Sequence, residues 1–430
     1  MRKLIVIFLC ALLFTVSSAF SQLLTDYTDV GNGARAAAMG NAFTGLADDA
    51  TAVAWNPAGL TQLGMPEFSI VGRYNLGYST MKWSNVEFLD KFSISQSSQF
   101  DINFLSFVLP INTESIGLGV LADIGISKFV PAIAYRTMYD WAFKQKRTRK
   151  YSDDDTEIEI VEDIKQKGGI KVLSTAFATE FGRLSGGMTL NFIKGDLEYK
   201  YEHKQDGQIQ DSDNYNVEDY KGRSVDFGLS LDGTWIGNSG GRTGIVLGAK
   251  LSPGYVRSNV YVDANDNRTK RELKIPYFYT YGAAVLFSES FTVTVDYRSH
   301  NWSDSESRNE VNGAWTDWAE YTNNDLNAWH FGMEKLNLTT GASFRLGYYN
   351  KPYVDDDANG DQIVNEVFTI GMGFAKKNFS LDFSSQFELH SYLWRKIDES
   401  EYTDKGGELS FSSSLIIYID FMDIFDKLQR

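Results

Sequence analysis

Residues 379–390 read Phe379-Ser380-Leu381-Asp382-Phe383-Ser384-Ser385-Gln386-Phe387-Glu388-Leu389-His390. Apolar side chains at Phe379, Leu381, Phe383, Phe387 and Leu389 alternate with Ser380, Asp382, Ser384, Gln386, Glu388 and His390. Side chains of a strand point to opposite faces in turn, so this pattern predicts a strand with one apolar and one charged face. The same period returns in Val225, Phe227, Leu229 and Leu231 against Asp226, Gly228, Ser230 and Asp232. It returns again in Phe291–Arg298 and in Leu409, Phe411, Leu415, Ile417, Ile419 and Phe421. A soluble sandwich shows this period too, and the connections separate the two cases. Very short ones (110–114, 181–183, 236–241, 288–290, 336–339, 375–378) take turns with long polar ones (80–98, 151–168, 204–219, 302–325, 351–363, 392–406), with 263–270 brief for its side. That asymmetry is the signature of an outer-membrane barrel, and the connections divide the chain into about fourteen strands, an even number. A non-helical chain crosses a bilayer only as a closed sheet, where every backbone donor and acceptor is paired.

Composition agrees. The 430 residues are 14 % aromatic, with Gly 37 and Pro only 7, and the mean hydropathy is −0.28. The longest apolar run, Leu4 to Val16, is too short for a spanning helix. A net charge of −15 argues against nucleic acid as a partner. Aromatics near strand ends (Tyr277, Phe278, Tyr279, Tyr281, Trp302, Tyr348, Tyr349) fit either interfacial girdles or plain strand propensity.

Arg2 and Lys3, the apolar run and small residues at Ser17, Ser18, Ala19 and Ser21 read as a secretory signal peptide over 1–21, leaving Gln22 first. The single cysteine, Cys10, lies inside it, so no disulfide, Cys–metal site or cysteine nucleophile is expected afterwards. Residues 22–65 are Gly- and Ala-rich without sustained alternation, which predicts a separate N-terminal segment. The barrel is expected over 66–421 and a short periplasmic tail over 422–430.

Motifs for chemistry are sparse, and no enzyme is predicted. Gly237-Asn238-Ser239-Gly240-Gly241 matches a nucleophile elbow in letters, but strands flank it on both sides and a hairpin turn fits better. His203, His300, His330 and His390 have no metal-ligand spacing. Residues 355–366 satisfy D-x-D-x-N-G-x5-E, which offers Asp355, Asp357, Asn359, Asp361 and Glu366 to calcium, or else forms a solvated acidic loop. No other cofactor is expected. Lys250, Arg298 and Arg345 fall on the polar faces of their strands. A charge facing lipid at the midplane costs about 2–4 kcal/mol, so these should point inward, toward Asp226, Asp232, Asp296 or Asp382.

The segment Gly33–Leu60 ends in Ala47-Asp48-Asp49-Ala50-Thr51-Ala52-Val53-Ala54-Trp55-Asn56-Pro57-Ala58-Gly59-Leu60. With its Asn-Pro-Ala triplet it resembles the N-terminal plug of the long-chain fatty-acid transporter (FadL/TodX-like) family. Phe291–Tyr297 followed by Trp302, and Phe344–Tyr349 followed by Pro352 and an acidic loop, look like strands of that family. The resemblance implies an all-β, fourteen-stranded transmembrane barrel with an N-terminal hatch inside. It implies a bacterial outer-membrane location, insertion by the barrel-assembly machinery, contact with outer-membrane lipid, and passive transport of a hydrophobic small molecule. Phe43, Asp48, Asp49, Trp55, Asn56, Pro57 and Ala58 then form the hatch and gate. Lateral exit through a kinked third strand falls on Gly125 and Pro131, where proline withholds a ladder donor. The alternative is a PorV-like barrel that attaches or shuttles secreted proteins in type IX secretion, which long acidic loops would suit.

Overall fold

The computed structural model describes residues 33–83, 89–98, 101–113, 120, 123, 125–140, 143–153, 156–233, 235–236, 242–320, 324–397 and 400–420. The expected signal peptide, the tail, the 237–241 turn and most of the chain between Thr113 and Gly125 fall outside them. Fourteen antiparallel strands follow in chain order. They are β1 (Glu67–Trp83), β2 (Leu89–Ser98 continued by Asp101–Val108), β3 (Ile126–Asp140 and Phe143–Asp153), β4 (Thr156–Phe181), β5 (Leu184–Gln205) and β6 (Gln208–Asp232). Next come β7 (Arg242–Ser252 and Tyr255–Val262), β8 (Arg268–Ile275 and Phe278–Ser288), β9 (Phe291–His300 and Glu306–Val311) and β10 (Leu326–Leu336). The last are β11 (Ala342–Asp356), β12 (Gln362–Lys376), β13 (Phe379–Ile397) and β14 (Ser400–Tyr418). Each pairs with the next, and β14 pairs with β1 from Glu67↔Tyr418 to Trp83↔Tyr402, so the sheet closes on itself.

The faces are inverted relative to a water-soluble fold. Phe227, Leu229 and Leu231 are 46, 56 and 47 % exposed, whereas Asp226 between them is 2 % exposed. Phe383, Phe387 and Leu389 are likewise exposed, while Asp382, Ser384 and Gln386 are buried. The ring turns its apolar side outward and its polar side in.

The long connections differ from expectation. Residues 151–153, 156–168, 204–205 and 208–219 are strand rather than loop, because β3, β4, β5 and β6 keep pairing well past the apolar belt. Gln205↔Gln208 closes around Asp206 and Gly207, whose φ of 48 and 81 give the type of tight turn that matches strand twist. Likewise β11 and β12 meet at Asp356↔Gln362, and β13 and β14 at Ile397↔Ser400. Cross-strand pairs such as Lys204–Asp163, at 2.9 Å, take up charge along these extensions. Of the end aromatics, Tyr277 and Tyr281 point outward, whereas Trp302 is fully buried in an inner apolar cluster with Ile170, Leu197, Leu273 and Val354.

Residues 33–63 hold helix α1 (Ala34–Ala38), helix α2 (Ala52–Trp55) and a 3-10 turn (Pro57–Gln62), nearly all buried. The segment meets the inward side of every strand. α1 lies against β11, β12, β13 and β14, and the 3-10 turn against β3, β4, β5 and β6. Glu67 of β1 and Ser106 of β2 bond Ala50, Gly248 of β7 and Gly282 of β8 touch Thr44 and Gly45, Asp296 of β9 bonds Phe43, and Gly332 of β10 touches Met39. Contact with all fourteen strands is possible only from within the ring.

Glycine makes this approach possible. A Cβ on Gly187 of β5 would lie 2.4 Å from the Pro57 carbonyl carbon, and one on Gly347 of β11 would lie 2.1 Å from the Gly40 nitrogen. Gly186, on the opposite face of β5, has nothing within 4 Å. Gly187→Val is therefore expected to displace the inner segment, while Gly186→Val leaves it in place. Trypsin cleavage at Arg35 in the folded, heat-modifiable protein reads the difference; equal protection of both variants would contradict this packing.

Candidate functional site

Phe43 is fully buried and meets Trp55 edge-on, with centroids 6.1 Å apart. Asn56 heads the 3-10 turn. Its Oδ1 accepts from the Ala58 N–H at 3.2 Å, and its Nδ2 donates to the carbonyls of Thr44 and Leu229, each at 3.0 Å. Pro57 occupies the first position of that turn, where its missing N–H costs nothing. Ala58, with no exposure, packs under Gly187 and Gly228.

Wall side chains complete the hydrogen bonding of the inner segment. Asp296 Oδ2 accepts the N–H groups of Phe43 and Thr44 at 2.9 and 2.8 Å. Thr369 accepts from Gly40 N–H and donates to the Ala38 carbonyl. The expected lumen cations do point inward. Lys250 lies 3.4 Å from Asp226 and donates to the Ala54 carbonyl at 2.7 Å. Arg298 donates to the Asn41 carbonyl at 2.7 Å and sits 4.7 Å above the Trp55 ring. Arg345 pairs with Glu334 at 2.6 Å and Asp382 at 2.7 Å. Asp232, by contrast, is exposed.

Asp48 pairs with Arg35 of its own segment at 2.5 Å, and Arg35 in turn bonds Glu334 of β10 at 2.9 Å. Glu334 thus ties Arg35 to Arg345; neither Arg35 nor Glu334 stands out in the sequence as a site residue, since single charges outside a motif carry no signal. Asp49 accepts from both the N–H and the hydroxyl of Thr51. Burial pushes its carboxyl up to about 6, and the neighbouring Asp48 adds to this, while Arg35 and Thr51 pull it down.

Gly125 has a φ of +91, and Pro131 lies in unbroken strand. Val130↔Ala178, Pro131↔Phe177 and Ala132↔Ala176 continue without a shift, and the Pro131 carbonyl accepts from Leu109 N–H at 3.0 Å. Within a strand residue, N–H and C=O face the same neighbour. The donor that proline lacks would thus face Leu109, in the short break between Val108↔Ala132 and Ile111↔Phe129, so the ladder resumes beyond it. The pairing lapses elsewhere. β2 and β3 are joined from Leu89↔Tyr151 to Ser98↔Phe143 and again from Phe104↔Arg136 to Val108↔Ala132. Among the described residues, Asp101, Ile102 and Asn103 pair with none of β3, although Thr137, Tyr139 and Asp140 still pair with β4. Side chains cross the gap: Lys171 Nζ donates to Asp101 at 2.9 Å and to Thr137 at 2.8 Å, and the Thr137 hydroxyl donates to Asp101 at 3.5 Å.

A cavity of about 140 Å³ lies inside the ring at this level. Asp101, Asn103, Thr137 and Asp140 from the two edges of the gap line it, with Trp55 and Phe278 among its apolar walls. That volume suits a single benzene-sized ring. Asn103 is 4 % exposed, and neither atom of its amide has a hydrogen-bond partner among the described residues.

The acidic loop does not assemble as calcium ligands. Asp357 spends its carboxylate on the N–H groups of Asn359 and Asp361, which closes the turn. Glu366 is drawn into the ladder opposite Asn350 and Leu389, so the strand carries it away from Asp355, Asp357, Asn359 and Asp361. No group of three His, Cys, Asp or Glu placed to hold a metal occurs among the described residues.

The fold defines a closed fourteen-stranded barrel of the FadL/TodX kind. It is similar to a FadL homologue from Pseudomonas aeruginosa, with a TM-score of 0.58 at 9 % identity over 90 % of this chain and 98 % of that one. It is also similar to the P. putida toluene transporter TodX, at 0.55 and 12 % identity over 90 % and 99 %. The Ralstonia pickettii toluene transporter TbuX gives 0.50 and 13 % over the same shares. No protein-family model matches the sequence, and no curated protein does.

Because the folded Asp49 carboxyl sits above its ordinary 3.8, its ionisation opposes folding above pH 6, and that opposition fades as pH falls through 6 toward 4. Asp49→Asn keeps an acceptor for Thr51. The variant is expected to be more stable than the parent at pH 8, by on the order of 2–3 kcal/mol, and to match it closely at pH 4. Thermal melts in detergent at both values check this; a pH-independent difference would contradict it.

Proposed function

We propose that this chain is a bacterial outer-membrane passive transporter for hydrophobic compounds, closed by residues 33–63 as a hatch and emptied sideways into the bilayer. The observation that carries the reading is the lapse in β2–β3 pairing where the inner cavity meets the wall. An open aqueous pore does nothing for an apolar solute, whereas a pocket with a side exit delivers it to lipid. Long-chain fatty acids fit the resemblance, and the small cavity favours compact ligands. Trp55 and Phe278 would hold the apolar body, and Asn103 would take a polar substituent at the exit. The outward apolar belt supports membrane insertion, and the short turns on the side of Pro66 and Ile419 would face the periplasm. The chemistry is binding and release, without a catalytic step.

A scaffold for secreted proteins is the second reading, favoured by the projecting sheet of β4, β5 and β6. A pull-down of secreted partners with normal solute uptake after mutation of the cavity would support it instead.

The Cys10-containing segment apart, the sequence has no cysteine. Asn103→Cys with Thr137→Cys should therefore form one disulfide across the gap. Oxidised vesicles are expected to lose uptake of a hydrophobic probe, and reductant should restore it. Undiminished uptake with the bond formed would remove the side exit. Deleting 23–54 while keeping the signal should leave an inserted barrel with raised ion conductance in planar bilayers; unchanged conductance would remove the hatch.

A further inference from the structure

On the outward face, Leu173 of β4 and Phe192 of β5 stand directly opposite each other, each 44 % exposed. They stand where the continuous apolar belt ends on these strands. The next outward row is Lys171 on β4, Lys194 on β5 and Lys221 on β6, joined as Lys171↔Lys194 and Lys194↔Lys221. Arg223 of β6 lies opposite Phe192, its guanidinium 6.0 Å over that ring. Farther out the same faces are mainly polar, with Lys167 opposite Glu198 and Lys165 opposite Lys200, and the apolar Val161 and Ile209 there flank Lys204.

Like charges set directly across a sheet repel one another. Three in register, on a chain of net charge −15, are not a consequence of composition. Two have carboxylates: Asp101 for Lys171 at 2.9 Å and Asp219 for Lys221 at 3.1 Å. Among the described residues Lys194 has none, and Arg223 meets only the Phe192 ring. All four lie where the apolar belt ends, and their stems can lie along it with the heads above. Neighbouring strands are about 4.8 Å apart, so adjacent cationic heads can share the oxygens of one phosphate.

From this we infer that the outward face of β4, β5 and β6 binds the phosphate groups of phosphorylated lipid in the outer leaflet, through Lys194, Lys221 and Arg223 with Lys171 beside them. The inference rests on the membrane-spanning reading but not on the transported ligand. The apolar row below takes the acyl chains, and the cationic row takes the phosphates that would otherwise repel one another at the leaflet surface.

The test uses the full chain in phosphatidylcholine nanodiscs with and without diphosphorylated lipid A, followed by native mass spectrometry after mild delipidation. The parent protein is expected to retain lipid A. A variant carrying Lys194→Gln, Lys221→Gln and Arg223→Gln should retain at least tenfold less with its heat-modifiable folded band intact, whereas Lys200→Gln, three rows farther out and paired with Glu198, should match the parent. Equal retention by the triple variant overturns the inference, as does equal retention of dephosphorylated lipid A, which would leave only the apolar belt at work. A chain that inserts into neither nanodisc overturns the membrane reading and this inference with it.

Discussion

Closure of the ladder between β14 and β1 is the constraint on which everything else depends. Seventeen successive registers, Glu67↔Tyr418 to Trp83↔Tyr402, consume the backbone groups of what would otherwise be two sheet edges. With no edge left, side chains alone decide what each face can meet. The outward positions are large and apolar, so they need hydrocarbon or another apolar surface. The inward positions are charged or hydroxylic, so they need hydrogen-bond partners inside a space with little room for water.

The inner segment and the wall answer each other's needs. Residues 33–63 are too few to make a core alone. Their turns expose backbone N–H and C=O groups that a short helix cannot satisfy. Asp296, Thr369, Asn56, Lys250 and Arg298 satisfy them from both sides of the contact. Removing a partner would leave a buried donor, acceptor or charge uncompensated, at about 1–3 kcal/mol for a neutral group and more for a charged one. Lys250 and Arg298 are therefore structural ties to the segment as well as cavity walls.

Much of this was legible in the sequence. The alternation in Phe379–His390 places Asp382 inward and Phe383 outward, as observed. What misled was polarity. Residues 204–219 look like a loop because both faces of the sheet are wet there and apolar alternation disappears, yet Asp206-Gly207 marks a tight hairpin turn. The same rule hid the end of β11, where the calcium-like pattern in 355–366 is a turn followed by strand. Pro131 misled for a different reason: its effect depends on which neighbour its nitrogen faces, and one sequence does not say. The wall glycines carried a readable signal. Gly228, Gly248, Gly282 and Gly347 sit at inward positions, where a lumen filled only by side chains would not require them.

The gap between β2 and β3 differs from a strand edge in one respect that bears on how it opens. Its outer neighbours remain paired: Asp101 and Ile102 with β1, and Thr137, Tyr139 and Asp140 with β4. Parting the two strands here breaks no backbone pair among the described residues. Among the described residues, Lys171 reaches over β3 to Asp101, with side chains 34 and 42 % exposed, and the Thr137 hydroxyl meets Asp101 at 3.5 Å. An ion pair as accessible as this contributes about 0–1 kcal/mol. A continuous ladder would add several bonds of about 1 kcal/mol each and would charge the full cost of unpaired groups to any opening. A seam bridged by side chains can thus separate at modest cost while both halves of the wall keep their registers, which is the mechanical condition that the proposed side exit requires.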